Sequence, residues 1–209
     1  MTASPDKVAE ILFQHYRDSR EVIETQLRLR MYIAAGIFAV LFAFAIEILD
    51  QAAFQNIAIA WIANAAHSDA TQLDRFWVHH AVTSVMWFIL CSLIAQVLSR
   101  TAVISREARY MLVLEERLSK LIGEGVVTRI TQFRSAPDRY IDRANRLYTL
   151  GPAMPTAILA IVKISTEMQH AMHEGFAAGA FAALDALMFC ILAYSMGEFM
   201  TTHLKRGAK

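Results

Sequence analysis

Eighteen of the 20 Lys and Arg residues fall in three blocks, and apolar stretches of membrane-spanning length separate those blocks. Five lie in 1–30, ten in 99–150 and three in 201–209, which leaves only Arg75 and Lys163 elsewhere. Cytoplasmic loops keep Lys and Arg, whereas exported loops are depleted in them. The pattern therefore predicts that the N-terminus, the middle of the chain and the C-terminus all lie in the cytoplasm.

Four segments are candidate membrane spans, since a helix needs about 20 apolar residues to cross the hydrocarbon. They are Met31–Leu49, Ala81–Leu98, Leu150–Gln169 and Phe176–Met200. The third contains Lys163, but the charge pattern requires it, because an even number of crossings must separate the middle block from the C-terminus. We predict an all-α integral membrane protein of the bacterial inner membrane, with four transmembrane helices, both termini inside and a cytoplasmic helical hairpin.

This topology divides the chain into five parts. We predict a cytoplasmic N-terminal helix (1–30) and a first transmembrane hairpin (31–98) that includes an outer interfacial helix at 53–66. A cytoplasmic helical hairpin (99–148), a second transmembrane hairpin (149–200) and a basic tail (201–209) follow.

Two apolar stripes at helical spacing lie outside the spans. The outer stripe consists of Phe54, Ile57, Ala58, Trp61, Ile62 and Ala65. It predicts a helix on the membrane surface with Trp61 at headgroup level. An extension of the first helix that packs on a neighbouring helix is the equal alternative. The cytoplasmic stripe predicts packing against the N-terminal helix or another subunit; it consists of Met111, Leu114, Leu118 and Leu121.

Two family resemblances accompany this topology. With the runs Arg106–Tyr110 and Leu114–Leu118 and with Gly123, the chain resembles small four-span bacterial inner-membrane proteins. Some of those accompany anti-phage or CRISPR systems, which implies a membrane effector or accessory role in defence. The pair Gly151-Pro152 and the Ala-rich fourth span are similar to the MotA/TolQ/ExbB proton-channel family, in which two late spans follow a cytoplasmic domain. The glycine-rich signature of that family is missing from the third span, so we transfer no ion-channel role from it.

Three charged residues fall within the outer halves of the predicted spans: Glu47, Lys163 and Asp185. Charges inside a bilayer are costly, so they are paired or functional. One interpretation is a structural ion pair between Lys163 and Asp185. The other is the polar lining of a pore or a proton-accessible carboxylate.

Five of the seven histidines lie on the predicted outer side. Imidazole and carboxylate groups together can bind zinc, copper or iron, and two facing histidines can ligate haem. The candidate ligands are His79, His80, Glu167, His170, His173 and Glu174. We expect no cofactor, since polar residues also gather at helix ends without a metal; a haem or transition-metal site is the alternative, and a pH-responsive cluster is a third interpretation.

Small residues four apart open the fourth span, and they predict close helix association. They are Gly175, Gly179 and Ala183. We therefore expect a homo-oligomer that uses this face, and a cytoplasmic protein partner that binds through 99–148.

The sequence has no phosphate loop, nucleophile elbow or Cys-x-x-Cys, and no aromatic-interleaved basic platform for nucleic acid. We predict a non-enzymatic, oligomeric membrane protein that acts as a pore or permeability effector or as a signal transducer. The alternatives are a haem- or metal-binding redox protein and a structural subunit of a larger membrane complex.

Overall fold

The computed structural model describes residues 5–67, 74–122, 151, 153–174 and 176–204. Every regular element in those ranges is an α-helix, so the predicted all-α class is confirmed for them. The helices are α1 (Pro5–Leu49), α2 (Gln51–Ala66), α3 (Arg75–Ile122), α4 (Ala153–Glu174) and α5 (Phe176–Leu204). The second helix of the predicted cytoplasmic hairpin and the end of the basic tail lie outside the described residues.

Helices α1 and α3 are long and unbroken, with 45 and 48 residues. In α1, Pro5 stands in the first turn, where its missing N–H costs nothing, and the N-terminal segment runs on directly into the apolar stretch. The helix ends where Asp50 leaves helical geometry, at φ −148° and ψ 83°. Its carboxylate accepts a hydrogen bond from the Ala53 N–H at 2.9 Å and so caps α2. Helix α2 is therefore a separate helix rather than an extension of α1.

Two compact units make up the chain, and each has its own packing. We call residues 5–33 and 97–122 the charged unit, and residues 34–67, 74–96, 153–174 and 176–204 the apolar unit. Within the charged unit, α1 and α3 run antiparallel, because Tyr16 bonds to Glu115 and Gln26 bonds to Arg100.

The cytoplasmic stripe on α3 is largely buried within the charged unit. Met111, Leu114 and Leu118 are buried, whereas Leu121 is 46% exposed. Three of the four residues thus belong to a core, and the fourth lies in the last turn of α3.

Helix directions in the apolar unit follow from the side chains that meet. Helix α1 lies antiparallel to α3, because Leu93 lies beside Gly36 and Trp87 packs edge-on against Phe44. Helices α4 and α5 follow each other directly in the chain and pack along each other.

Helix α5 lies parallel to α3, because three successive aromatic or polar positions on each helix meet in the same order. The pairs are His80 with Phe181, Ser84 with Asp185 and Trp87 with Phe189. The spacing of three or four residues on both helices keeps these side chains on one face.

Three helices among the described residues are long and apolar enough to cross a membrane, and α3 is the best packed of them. Their apolar segments lie in Asp6–Leu49, Arg75–Ile122 and Gly179–Phe199, while α4 carries the shorter apolar stretch Met154–Thr166. The most apolar window of α3 is 44% buried, against 11% and 17% for the other two. Helix α3 therefore forms the core of the apolar unit.

Large apolar side chains cover the outside of the apolar unit. Phe42, Trp61, Ile161, Ile191 and Tyr194 are each at least half exposed. Large exposed apolar side chains in such number fit a hydrocarbon environment.

Candidate functional site

The buried charges of the apolar unit form its most distinctive site. Lys163 of α4 and Asp185 of α5 form an ion pair, with 2.9 Å between Nζ and Oδ2. The Lys163 side chain is 8% exposed and that of Asp185 is 0% exposed. The two side chains are therefore buried against each other.

Helix α3 supplies two further polar contacts to this pair. The Ser84 hydroxyl donates to Oδ2 of Asp185 at 3.4 Å, and the Trp87 indole N–H donates to the Asp185 main-chain carbonyl at 3.1 Å. Oδ1 of Asp185 accepts no hydrogen bond from any described residue. Three helices thus converge on one carboxylate, and Lys163 supplies the opposite charge.

An isolated charge at this depth would be expensive, because the energy of taking an ion out of water is recovered only when a partner is close and well aligned. The 2.9 Å separation meets that condition. The pair therefore fixes how α4 and α5 lie against each other.

Glu47 belongs to a different polar cluster, centred on His79. Nε2 of His79 lies 3.5 Å from Oε1 of Glu47 on α1 and 3.3 Å from Nε2 of Gln51, the first residue of α2. The His79 and Glu47 side chains are 10% and 16% exposed. The Phe54 ring of α2 packs edge-on against the His79 ring, with 6.2 Å between centroids. One imidazole therefore contacts α1 and α2 at once.

His80 has an aromatic environment instead. Its ring stacks on Phe181 of α5, at 5.7 Å and 15°, and lies 4.4 Å from the Phe76 ring. The neighbouring imidazoles of His79 and His80 are 5.3 Å apart and nearly perpendicular. Adjacent residues of a helix point about 100° apart, so these two histidines do not face one haem from opposite sides.

The structure distributes the predicted site residues over several places. Lys163 and Asp185 come together, and Glu47 and His79 come together. The side chains of four further predicted ligands lie outside those that the structure describes: Glu167, His170, His173 and Glu174. Among the side chains that it does describe, no group of three or more His, Cys, Asp and Glu residues could hold a metal.

The predicted association face of α5 is open in part. Ala183 is exposed and Gly179 is half-buried, while Gly175 lies outside the described residues. Its neighbours Ala182 and Asp185 are buried within the protomer. Ala183 is thus exposed on this face of α5, and the use of the face in an oligomer stays a prediction.

Sequence reasoning missed Ser84, Trp87 and Gln51 as members of these clusters. One signal was present: His80, Ser84 and Trp87 are spaced by four and three residues, so they line one face of an otherwise apolar span. Gln51 carried no such signal, because the break at Asp50 decides where it points.

No protein-family model, curated protein or solved structure matches this chain.

Proposed function

We propose that the chain is a non-enzymatic, multi-pass protein of the bacterial inner membrane that transmits a conformational signal to a cytoplasmic partner. One observation carries this proposal: α1 and α3 each contain an apolar stretch of membrane-spanning length, and each continues without a break into the charged unit. A continuous helix transmits rotation or translation along its length, because its hydrogen-bonded turns move together.

Four crossings with both termini inside are the topology we propose. The three basic blocks support it. Helix α4 has 22 residues, which span about 33 Å at 1.5 Å per residue, enough for the hydrocarbon. Its one intramembrane cation, Lys163, is paired with Asp185.

A pore is the weaker of the two predicted activities. A conducting path needs polar side chains along an aqueous opening, whereas Lys163 and Asp185 are buried against each other. A redox protein has less support still, because His79 and His80 contact different neighbours and point apart.

We propose a homo-oligomer associated through the small-residue face of α5, where Gly179 and Ala183 are partly open. The cytoplasmic partner would contact residues 99–148, in whose described part Tyr110 and Val113 are exposed. A role in bacterial defence is the setting that the sequence resemblance suggests.

Hydrogen–deuterium exchange tests the transducer, with the full-length protein in lipid nanodiscs. Asp185→Asn changes a side chain of the apolar unit, and we expect it to change amide exchange severalfold in 8–30 and 101–122 of the charged unit. Leu187→Ala, at an exposed position of the same helix, is the matched control and should leave those amides unchanged.

Two glycines inserted between Gln96 and Val97 should abolish the effect of Asp185→Asn on amide exchange in the charged unit, because they break the continuity of α3. If Asp185→Asn alters exchange only in the apolar unit, the units are uncoupled and the transducer is wrong. Ion flux through liposomes that contain the protein would then favour the pore, and its absence the structural subunit.

A further inference from the structure

We infer that His79 is a proton-binding switch whose protonation exchanges its partner on α2 for its partner on α1. The inference deepens the proposed function, on which it rests for its role as a signal, by naming an external proton as the stimulus. The contacts themselves stand independently of that role.

One ring nitrogen of His79 faces two groups: the first can bond to it only as an acceptor, and the second only as a donor. Nε2 of His79 lies 3.3 Å from the Gln51 amide nitrogen and 3.5 Å from the Glu47 carboxylate. The amide nitrogen is a donor only, so it bonds to Nε2 only when Nε2 carries no proton. The carboxylate is an acceptor, so it bonds to Nε2 only when Nε2 carries one. The two bonds exclude each other.

The 3.3 Å contact with the Gln51 amide nitrogen requires the neutral tautomer that carries its proton on Nδ1, and protonation then adds a proton at Nε2. In the neutral imidazole with an unprotonated Nε2, the Gln51 amide donates to the ring and holds the start of α2 against α3. In the imidazolium both ring nitrogens are donors, and Nε2–H turns to Glu47 with the added attraction of opposite charges. The Gln51 N–H then loses its acceptor, and α2 is released at its first turn.

The charges around His79 favour this exchange. The titratable groups that the described contacts bring to it are Glu47 from α1 and the His80 ring beside it on α3. Helix α2 contributes the uncharged Gln51 amide and the Phe54 ring, and α5 contributes Phe181, which stacks on His80.

Two exposed carboxylates near the helix ends are already engaged. Asp50 accepts from the Ala53 N–H and Asp74 accepts from the Phe76 N–H. Both cap helices. Glu47 is the carboxylate placed to receive the His79 proton, because its Oε1 lies 3.5 Å from Nε2 of His79.

The predicted motion of α2 can be read from a nitroxide on its exposed face. The full-length protein carries Ala52→Cys, at an exposed position of the first turn of α2, in a Cys91→Ala, Cys190→Ala background. It is studied in nanodiscs from pH 8 to pH 5. We expect the mobile fraction of the label to rise at least twofold, with the single midpoint of a one-proton titration.

Four variants identify the group that titrates. His79→Gln should give a flat profile, whereas His80→Phe, which keeps the ring stacking, should titrate as the wild type does. Gln51→Met should be mobile already at pH 8, with no further rise. Glu47→Gln should move the midpoint to lower pH, because the imidazolium loses its carboxylate. Circular dichroism and size-exclusion profiles establish that each variant is folded.

A wild-type label that does not respond to pH would overturn the switch, and so would a His79→Gln variant that titrates normally. Failure of the proposed function looks different. If α2 titrates through His79 while amide exchange in the charged unit stays constant, the switch holds and the transducer is wrong.

Discussion

The charged unit and the apolar unit each bury a carboxylate completely, and they stabilise it differently. Glu115 in the charged unit accepts a hydrogen bond from the neutral Tyr16 hydroxyl at 3.1 Å. Asp185 in the apolar unit meets the cationic Lys163 at 2.9 Å. Among the described contacts, Asp185 meets a full opposite charge and Glu115 meets a hydroxyl donor. A matched charge counts most where the surrounding surface is apolar, because a buried ion recovers its lost hydration only from a close partner.

The largest effect should come from breaking the pair in the apolar unit. Asp185→Asn leaves Lys163 as an uncompensated buried cation, so we expect the free energy of unfolding in detergent to fall by about 3–5 kcal/mol. The double variant Lys163→Met, Asp185→Leu removes both charges and should recover much of that loss. Two single variants, at 163 and at 185, that are as stable as the wild type would show that these side chains face water.

The second-largest effect should come from a substitution on the small-residue face of α5, on the outside of the apolar unit. Gly179→Leu places a bulky side chain on the small-residue face and hardly changes hydropathy, so we expect insertion to persist and the oligomer to dissociate. Light scattering in detergent measures the mass. Ala193→Leu, at another exposed small position of α5, should leave the mass unchanged. An unaltered oligomer in both variants would place the association surface elsewhere.

A smaller effect is expected in the charged unit. Tyr16→Phe removes a donor to the buried Glu115 carboxylate and should cost about 1–2 kcal/mol of unfolding free energy, well below the loss for Asp185→Asn. Tyr32→Phe is the control, because Tyr32 is 68% exposed. If Tyr16→Phe lowered the free energy of unfolding as much as Asp185→Asn does, the hydroxyl donor to Glu115 would matter as much as the opposite charge beside Asp185.

The smallest effect lies on the surface of the charged unit. Lys120 donates to Glu116 at 2.8 Å and holds the pKa of that carboxyl below its usual value of 4.5. A depressed pKa contributes stability that is present above the unfolded value and is lost as pH falls through the folded one. The melting temperature of Lys120→Gln should therefore lie slightly below that of the wild type at pH 7, and the gap should close below pH 4. A gap that persists at pH 3 would assign the effect to helix propensity.

The sequence predicted the all-helical class, because apolar length and basic blocks are properties of composition along the chain. It placed Lys163 and Asp185 near one depth, since helical rise is constant. It missed the contact of Glu47 with His79, because that contact depends on the break at Asp50 and on which faces of α1 and α3 meet. It also treated 54, 57, 58, 61, 62 and 65 as one stripe, whereas Phe54 and Ala58 are buried and Ile57 and Trp61 are exposed. Packing between helices decides such details, and periodicity does not encode it.

The position of Lys163 in α4 has a consequence for biosynthesis. Asp185 follows Lys163 by 22 positions in the chain. At about 5–20 residues per second, the ribosome takes roughly one to four seconds to supply that carboxylate. During the delay α4 carries a short apolar stretch and an unmatched cation, which makes it a poor substrate for release into lipid by itself. On the proposed topology, the two helices therefore leave the insertion machinery as a preassembled hairpin, and the order of synthesis becomes part of how the fold is reached.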